Sequence, residues 1–418
     1  MAPVKKRPAS AAVPASKRSA AAAATESGGV GPLALPRWDG DVREGLKVKD
    51  LETPCYLLYR SVLERNAARM LERARTLGCQ LRPHQKTHKT LEAGAIVTGG
   101  SKRCVAVSTL AEAEFFADGG FDDILYAVPI SAEKLPRAAA LVQRLEKFHI
   151  ALDHPDTLSQ VLSRGPCEGK VWSVFLMVDC GYGRDGVDPL GDVAMEMAKR
   201  LQRSDCAKLA GLYTHGGHSY EHEGVAEAVA RVRQTAAEEA AAVVGLAARL
   251  RAAGVEVPIV GVGSTPTCSN PPLDGLEGVN EMHPGNYCYY DVMQEKIGSC
   301  TEDDIAVRVA TRVIGHYAAR GLLLVDMGWT ACSKQGESCG FGRIEGHPEL
   351  VVAGLKQEAG LLKASGDTPL DLSKYPLGTV LRLEPYHSCA HTKQHDRVHV
   401  LADDRETVEE AWRICRGW

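Results

Sequence analysis

A parallel α/β fold, a (β/α)8 (TIM) barrel joined to a C-terminal mainly-β domain, is what the sequence predicts, and three observations lead there. From Leu51 onward, short β-branched or apolar runs alternate with Ala-rich amphipathic stretches, the pattern of strands joined by crossover helices. Eight such units follow one another in roughly the length of one barrel. After about Ser299 the helical stretches fade while strand-like runs continue. A doubly wound open sheet is the rival architecture.

The eight strands are expected at Cys79–His84, Cys104–Ser108, Ile124–Pro129, Phe148–Asp153, Val171–Asp179, Ala210–Thr214, Pro258–Val262 and Val279–His283. Val171–Asp179 (VWSVFLMVD) is the strongest. Helices are expected at Leu110–Asp118 and over the long Ala-, Glu- and Arg-rich stretch Val225–Ala253, which Gly254 then stops. Past the barrel, Val307–Val313, Gly321–Asp326, Thr379–Leu383 and Val398–Leu401 read as strands without long helices between them. The segment Leu46–Leu58 can lend a strand to the same sheet. The expected division is therefore a tail over residues 1–40, a barrel over 41–300 and a β domain over 301–418.

The tail is a different kind of sequence. It is rich in Ala, Ser and Pro, carries Lys5, Lys6, Arg7, Lys17 and Arg18, and has no acidic residue before Glu26. With so few large apolar side chains to bury, it is expected to be disordered. A basic, acid-poor start is typical of an organelle transit peptide. Lys5-Lys6-Arg7 and Lys17-Arg18 also allow a nuclear signal, and a plain tail is the bland alternative. The expected location is intracellular, cytoplasmic or organellar. A formal net charge of -4 argues against nucleic acid as a partner. No apolar run approaches membrane-spanning length. Thirteen scattered cysteines, with no C-x-x-C pair, fit a reducing compartment better than a disulfide framework.

Catalytic groups of such barrels sit at the C-terminal ends of the strands, and the chemically capable residues cluster there. Lys86 follows the first strand, Arg184 the fifth and His215 the sixth. The turn Gly263-Ser264-Thr265 follows the seventh, and Pro284-Gly285-Asn286-Tyr287 the eighth. The loops after the seventh and eighth strands form the usual phosphate site of the fold. Glycine there lets the backbone approach, and N–H and hydroxyl donors satisfy phosphate oxygens. A lysine in a partly dry site loses its proton more easily and can attack a carbonyl. Lys89 and Lys102 are expected to be ordinary surface lysines. For Arg184 the bland alternative is an ion pair with Asp179 or Asp185. Near the C-terminus, His387 and Cys389 lie two apart, which on an extended strand puts both on one face. Imidazole plus thiolate suits zinc and leaves coordination positions open. His391, His395 and His399 could simply be surface residues.

The motifs Arg82-Pro83-His84-x-Lys86-Thr87-His88, Val178-Asp179-x-Gly181-x-Gly183-Arg184, Gly261-x-Gly263-Ser264-Thr265-Pro266-Thr267, His283-Pro284-Gly285-Asn286-Tyr287 and His387-Ser388-Cys389 occur in this order. The sequence from about Leu51 to Leu401 thereby resembles the fold-type III pyridoxal-phosphate (PLP) family that contains metal-dependent D-threonine aldolases and D-serine dehydratases. The resemblance implies Lys86 as the Schiff-base lysine and Arg184 as partner of the pyridine nitrogen. It implies Ser264 and Thr265 as phosphate holders, with Tyr287 nearby. It implies His387 and Cys389 as ligands of a divalent metal (zinc, manganese or magnesium), and it implies a homodimer. Cys389 is similar to the dehydratases, whereas Ala390–His395 departs from the small apolar run expected in them. Taken whole, the chain most resembles eukaryotic D-threonine aldolases.

The reaction expected from that resemblance is aldol cleavage of a β-hydroxy-D-amino acid, D-threonine giving glycine and acetaldehyde, with His215 or a metal-bound hydroxide as candidate base. The alternative is dehydration of D-serine to pyruvate and ammonia, with Lys86 taking the Cα proton. An amino-acid racemase and a non-catalytic PLP-binding protein are the further alternatives, and neither has a use for His387 and Cys389.

Overall fold

The computed structural model describes residues 45–418, so the basic tail lies outside the described residues. One strand, β1 (Cys55–Tyr59), precedes the barrel. The barrel strands are β2 (Gln80–Leu81), β3 (Arg103–Val107), β4 (Asp122–Pro129), β5 (Phe148–Leu152), β6 (Trp172–Met177), β7 (Ala207–Tyr213), β8 (Ile259–Val262) and β9 (Glu281–Met282). They pair in parallel in the order β2-β9-β8-β7-β6-β5-β4-β3. The two ends of that series meet through a parallel bridge between His84 and Ala106. There the Gln85 amide donates to the Ala106 carbonyl at 2.8 Å and the Ala106 amide to that of Pro83 at 3.1 Å. Eight strands and near-closure agree with the barrel expected from the sequence and exclude the open sheet.

Crossover helices connect the strands as the alternation of patterns requires. They include Leu91–Val97, Leu110–Asp118, Leu135–Arg144, Pro155–Leu162, Asp192–Gln202 and Ala228–Ala252. The last starts later than the sequence pattern alone marks, because Glu227, at φ +58°, sits in the left-handed region and breaks the helical path before Ala228. Gly254, at φ +80°, ends it in the left-handed region that glycine enters freely. β6 is apolar apart from Ser173 because one face meets the barrel interior and the other the helices. Ala106, Leu125, Ala127, Ala151, Phe175, Met177 and Tyr213 fill the interior as a core of their own.

Beyond the barrel lie β10 (Val307–Tyr317), β11 (Leu322–Val325), β12 (Gly342–Ile344), β13 (Leu350–Leu355), β14 (Gly360–Ala364), β15 (Val380–Pro385), β16 (Arg397–Leu401) and β17 (Val408–Arg413). With β1 they form a nine-stranded sheet. β1 is central to it, antiparallel to β10 on one side and parallel to β16 on the other. All thirteen cysteines are free thiols. No helix of the described residues is long and apolar enough to cross a membrane.

Inside the barrel, away from the strand ends that carry Lys86 and His215, Arg82 is buried in an ionic cluster. Its Nε meets Glu281 at 2.9 Å and its Nη1 meets Asp123 at 2.8 Å. His149 Nε2 lies 3.2 Å from the same Asp123 oxygen. Burial works against the Asp123 carboxylate, but His149 and Arg82 outweigh it and hold its carboxyl far below the ordinary range. A depressed carboxyl pKa adds stability that is complete above the unfolded value of about 3.9 and drains away as pH falls below it. Arg82→Met leaves buried Glu281 without a cation and Asp123 with only the more distant Lys147, at 3.6 Å, and is expected to cost about 3–5 kcal/mol, read by urea unfolding at neutral pH. A loss below 1 kcal/mol, on the scale of a surface ion pair, would refute the assigned role.

Candidate active site

A cavity of about 630 Å³ opens at the C-terminal ends of the barrel strands. Its wall includes Lys86, Arg184, His215, Ser264 and Thr265 from the barrel and His387 and Cys389 from the β domain. Seven of the residues singled out in the sequence thus share one space.

Lys86 stands just past the bridge that closes the barrel. Burial lowers its ammonium pKa; the nearby Cys389 thiol opposes the fall and the Arg184 cation adds to it. Among the described residues no carboxylate pairs with it. His84 is buried beside it and accepts the Lys86 amide on Nδ1 at 3.3 Å. Burial and the Lys86 charge keep that imidazole neutral. Across the cavity, His215 Nδ1 donates to the Gly263 carbonyl at 2.8 Å, which leaves Nε2 as the acceptor nitrogen. Burial, with Lys86 and Arg184 close by, holds His215 well below its ordinary pKa. Tyr213 stacks on His283 with ring centres 3.8 Å apart, and both line the cavity. Arg184 pairs with Asp185 at 2.9 Å and lies over Tyr182.

Ser264 caps the short helix Thr265–Ser269 in a reciprocal arrangement with Thr267. Its hydroxyl also meets Ser219 at 3.1 Å. Gly263 and Tyr287 differ from expectation. The Gly263 amide is already committed to Glu239 at 3.0 Å, and a Cβ on Gly263 would come within 2.8 Å of the His283 nitrogen. Its lack of a side chain therefore serves the packing of β8 on β9. The Tyr287 ring is 1 % exposed and outside the cavity wall; it is its amide that reaches the site, donating to Thr265 Oγ1 at 3.2 Å.

His387 and Cys389 flank the start of the short helix Ser388–Thr392 rather than lying on an extended strand. Burial alone would pull the His387 imidazole down, yet the Cys389 thiol beside it lifts it to about 9. Burial likewise opposes the thiolate, but His387 brings the Cys389 thiol to about 7. Thr87 Oγ1 lies 3.1 Å from the sulfur, and Gln335 accepts from His387 Nδ1. Between the two, Ser388 donates its amide to buried Asp291 at 2.8 Å. Asn286 also donates to Asp291, at 2.6 Å. A barrel carboxylate thereby fixes the turn that carries both candidate ligands. Among the described residues no third His, Cys, Asp or Glu completes a metal cluster with them.

Other expectations are corrected. Lys89 is not a surface lysine: it is 7 % exposed and paired with buried Glu112. His391 and His399 are buried, and His395 stacks on Tyr56 and donates to the Ala331 carbonyl at 2.8 Å. Tyr182, Tyr220, Met293, Gln335 and Tyr386 also line the cavity and were not singled out. They come from loops and short helical turns with no periodic pattern; Tyr182, between Gly181 and Gly183, and Tyr386, next to His387, had neighbours to mark them.

Together, the barrel, its unpaired mouth lysine and its hydroxyl-rich helix start are of the alanine racemase type. The model "Alanine racemase, N-terminal domain" matches residues 60–292, and "Putative serine dehydratase domain" matches residues 306–401. The chain belongs to the fold-type III PLP family, in the branch that joins these two domains. It is 34 % identical over 385 residues to a D-serine dehydratase of Dictyostelium discoideum, covering 86 % of this chain and 96 % of that one. It is 34 % identical over 381 residues to the D-threo-3-hydroxyaspartate dehydratase of Delftia sp. (strain HT23), covering 88 % and 98 %. The solved structure of that dehydratase superposes with a TM-score of 0.84 over 89 % of this chain and 100 % of its own. Its histidine-to-alanine and cysteine-to-alanine variants, altered two positions apart, are also solved, the latter in a metal-free form. A D-threonine aldolase of Filomicrobium marinum superposes at 0.77 with 25 % identity, over 89 % of this chain and 98 % of its own. These relatives are lyases, and they favour the dehydratases over the aldolase placed first from the sequence.

Gly263→Ala is expected to destabilise the protein by about 1–3 kcal/mol through overpacking against β9, measured by thermal unfolding. An unchanged melting temperature would show that β9 gives way freely.

Proposed function

We propose that this protein dehydrates β-hydroxy-D-amino acids, D-serine giving pyruvate and ammonia, with PLP on Lys86 and a divalent metal on His387 and Cys389. The observation that carries the proposal is that one cavity holds an unpaired, pKa-lowered lysine and, on its β-domain side, an imidazole–thiol pair. Near-full-length similarity to two dehydratases supports it.

The residues present fit both groups. The cavity is large enough for the cofactor with a small amino acid. Ser264 and Thr265, at a helix start on its wall, would take the phosphate. Arg184 would face the pyridine nitrogen once drawn from Asp185. A soft donor pair with Thr87 and Asn286 close by suits an open zinc site better than a hard-ion cage. When bound, PLP supplies the electron sink for charge at Cα, and the metal a Lewis acid for the leaving hydroxyl.

The chain's own part is proton handling and positioning. Lys86, whose ammonium burial disfavours, takes the Cα proton. The β-hydroxyl leaves as hydroxide and, with the proton taken from Cα, becomes water; hydrolysis of the resulting imine consumes one water and frees ammonia. His215, neutral and with Nδ1 committed to Gly263, keeps Nε2 available to accept a proton inside the cavity. The β domain closes one side of the site through Gln335, Tyr386 and His387, which limits water there.

Incubation of the purified protein with D-serine and with D-threonine, with and without chelator, tests the reaction. Pyruvate and 2-oxobutanoate with ammonia are expected, falling at least about tenfold in chelator. Glycine and acetaldehyde from D-threonine would instead establish the aldolase reading. Lys86→Ala should abolish both the visible cofactor absorbance and turnover. His387→Ala should keep the absorbance and lose about 100-fold or more in kcat; normal activity of that variant in chelator would remove the metal from the scheme.

A further inference from the structure

Glu239 lies on the long helix Ala228–Ala252, was not marked by any sequence motif, and is 1 % exposed. Among the described residues no cation pairs with it. A buried carboxylate without a counter-charge is costly, and packing alone would be served by an apolar side chain. Instead, three donors converge on its Oε1: the Thr214 hydroxyl at 2.8 Å, the Gly216 amide at 2.8 Å and the Gly263 amide at 3.0 Å. The other oxygen fits because residue 216 has no side chain; a Cβ there would come within 2.7 Å of it.

The donors belong to two different loops. Thr214 and Gly216 flank His215 at the end of β7, and Gly263 immediately precedes Ser264 at the end of β8. The Gly263 residue is held from both sides, its N–H by Glu239 and its carbonyl by His215 Nδ1 at 2.8 Å. One carboxylate thus fixes the loop that carries the imidazole, the loop that opens the phosphate seat and, through the Gly263 carbonyl, the His215 tautomer. We infer that Glu239 is a positioning residue for cofactor binding and for the His215 proton acceptor, touching neither cofactor nor substrate itself. The inference deepens the proposed function and rests on its PLP reading. Burial raises the Glu239 carboxyl pKa, and the amides and hydroxyls around it pull back toward the charged form.

Glu239→Ala, Glu239→Gln and Glu239→Asp in the full chain test this by three measurements. They are the PLP dissociation constant from visible absorbance, the pH profile of kcat with D-serine, and the melting temperature of the cofactor-free protein. Glu239→Ala should weaken PLP binding about tenfold or more, because two buried amides lose their acceptor. It should also move the acidic limb of the pH profile, since His215 is no longer held as the Nδ1–H form. Glu239→Gln keeps one acceptor oxygen and should recover most of the affinity. A folded Glu239→Ala protein with wild-type PLP affinity and an unmoved pH profile overturns the inference. A lowered melting temperature alone would likewise mark Glu239 as merely structural. If the alanine variant does not fold, Glu239→Asp decides. Its carboxylate, drawn back by one methylene, should show both effects, and wild-type values there overturn the role. A wild-type protein that takes up no PLP refutes the proposed function as well; normal uptake with unaffected variants refutes the positioning role alone.

Discussion

The bridge between His84 and Ala106 is the constraint on which the site depends. β2 is only two residues long, so its own ladder with β9 could not orient the residues after it. The backbone bonds among Pro83, Gln85 and Ala106 carry the parallel pairing past the end of β2 and close the ring. Lys86 is the next residue. Its direction into the cavity is set by main-chain geometry, not by a partner for its ammonium group. The Arg82 cluster secures the same strand from inside the barrel.

The second half of the site arrives by a different route. β1 is placed between β10 and β16, so the β domain is threaded through a strand that precedes the barrel in sequence. The helix Arg60–Thr76 follows β1 directly and leads into β2. The sheet that presents His387 and Cys389 is therefore tied to the barrel at the barrel's own start. Asp291 then fixes the turn between the two candidate ligands by accepting the Ser388 amide and hydroxyl. Two buried carboxylates, Asp291 and Glu239, do comparable work, each accepting from backbone amides of segments that line the cavity.

How much of the molecule is legible in the sequence depends on which signals are local. The barrel strands are visible because strands covered on both faces are written as apolar runs, as in β6, and Gly254 is visible because a left-handed cap needs glycine. Lys86, His215 and Ser264 are visible because the fold puts chemistry at strand ends. In the β domain, β13 and β14 are not. Their exposed faces and the glycines at 354 and 360 interrupt the alternation that marks a strand. Lys89 reads as a surface residue because its partner, Glu112, lies on the helix Leu110–Asp118, and nothing in either neighbourhood announces the pair. Gln335, Tyr220 and Glu239 reach the site through tertiary contacts alone. The order of the two candidate reactions is also beyond the motifs, since one set of residues serves both.

The position of β1 carries a consequence for assembly. Leu57 pairs with His399, more than three hundred residues later, so the middle of the sheet stays open until nearly the whole chain has emerged. Ribosomal synthesis delivers the barrel first and the wall that carries His387 and Cys389 last. A product truncated before β16 would keep the lysine-bearing ring yet lack a neighbour on one flank of β1. Such a fragment would bare an unsatisfied strand edge, inviting self-association before it could ever turn over substrate.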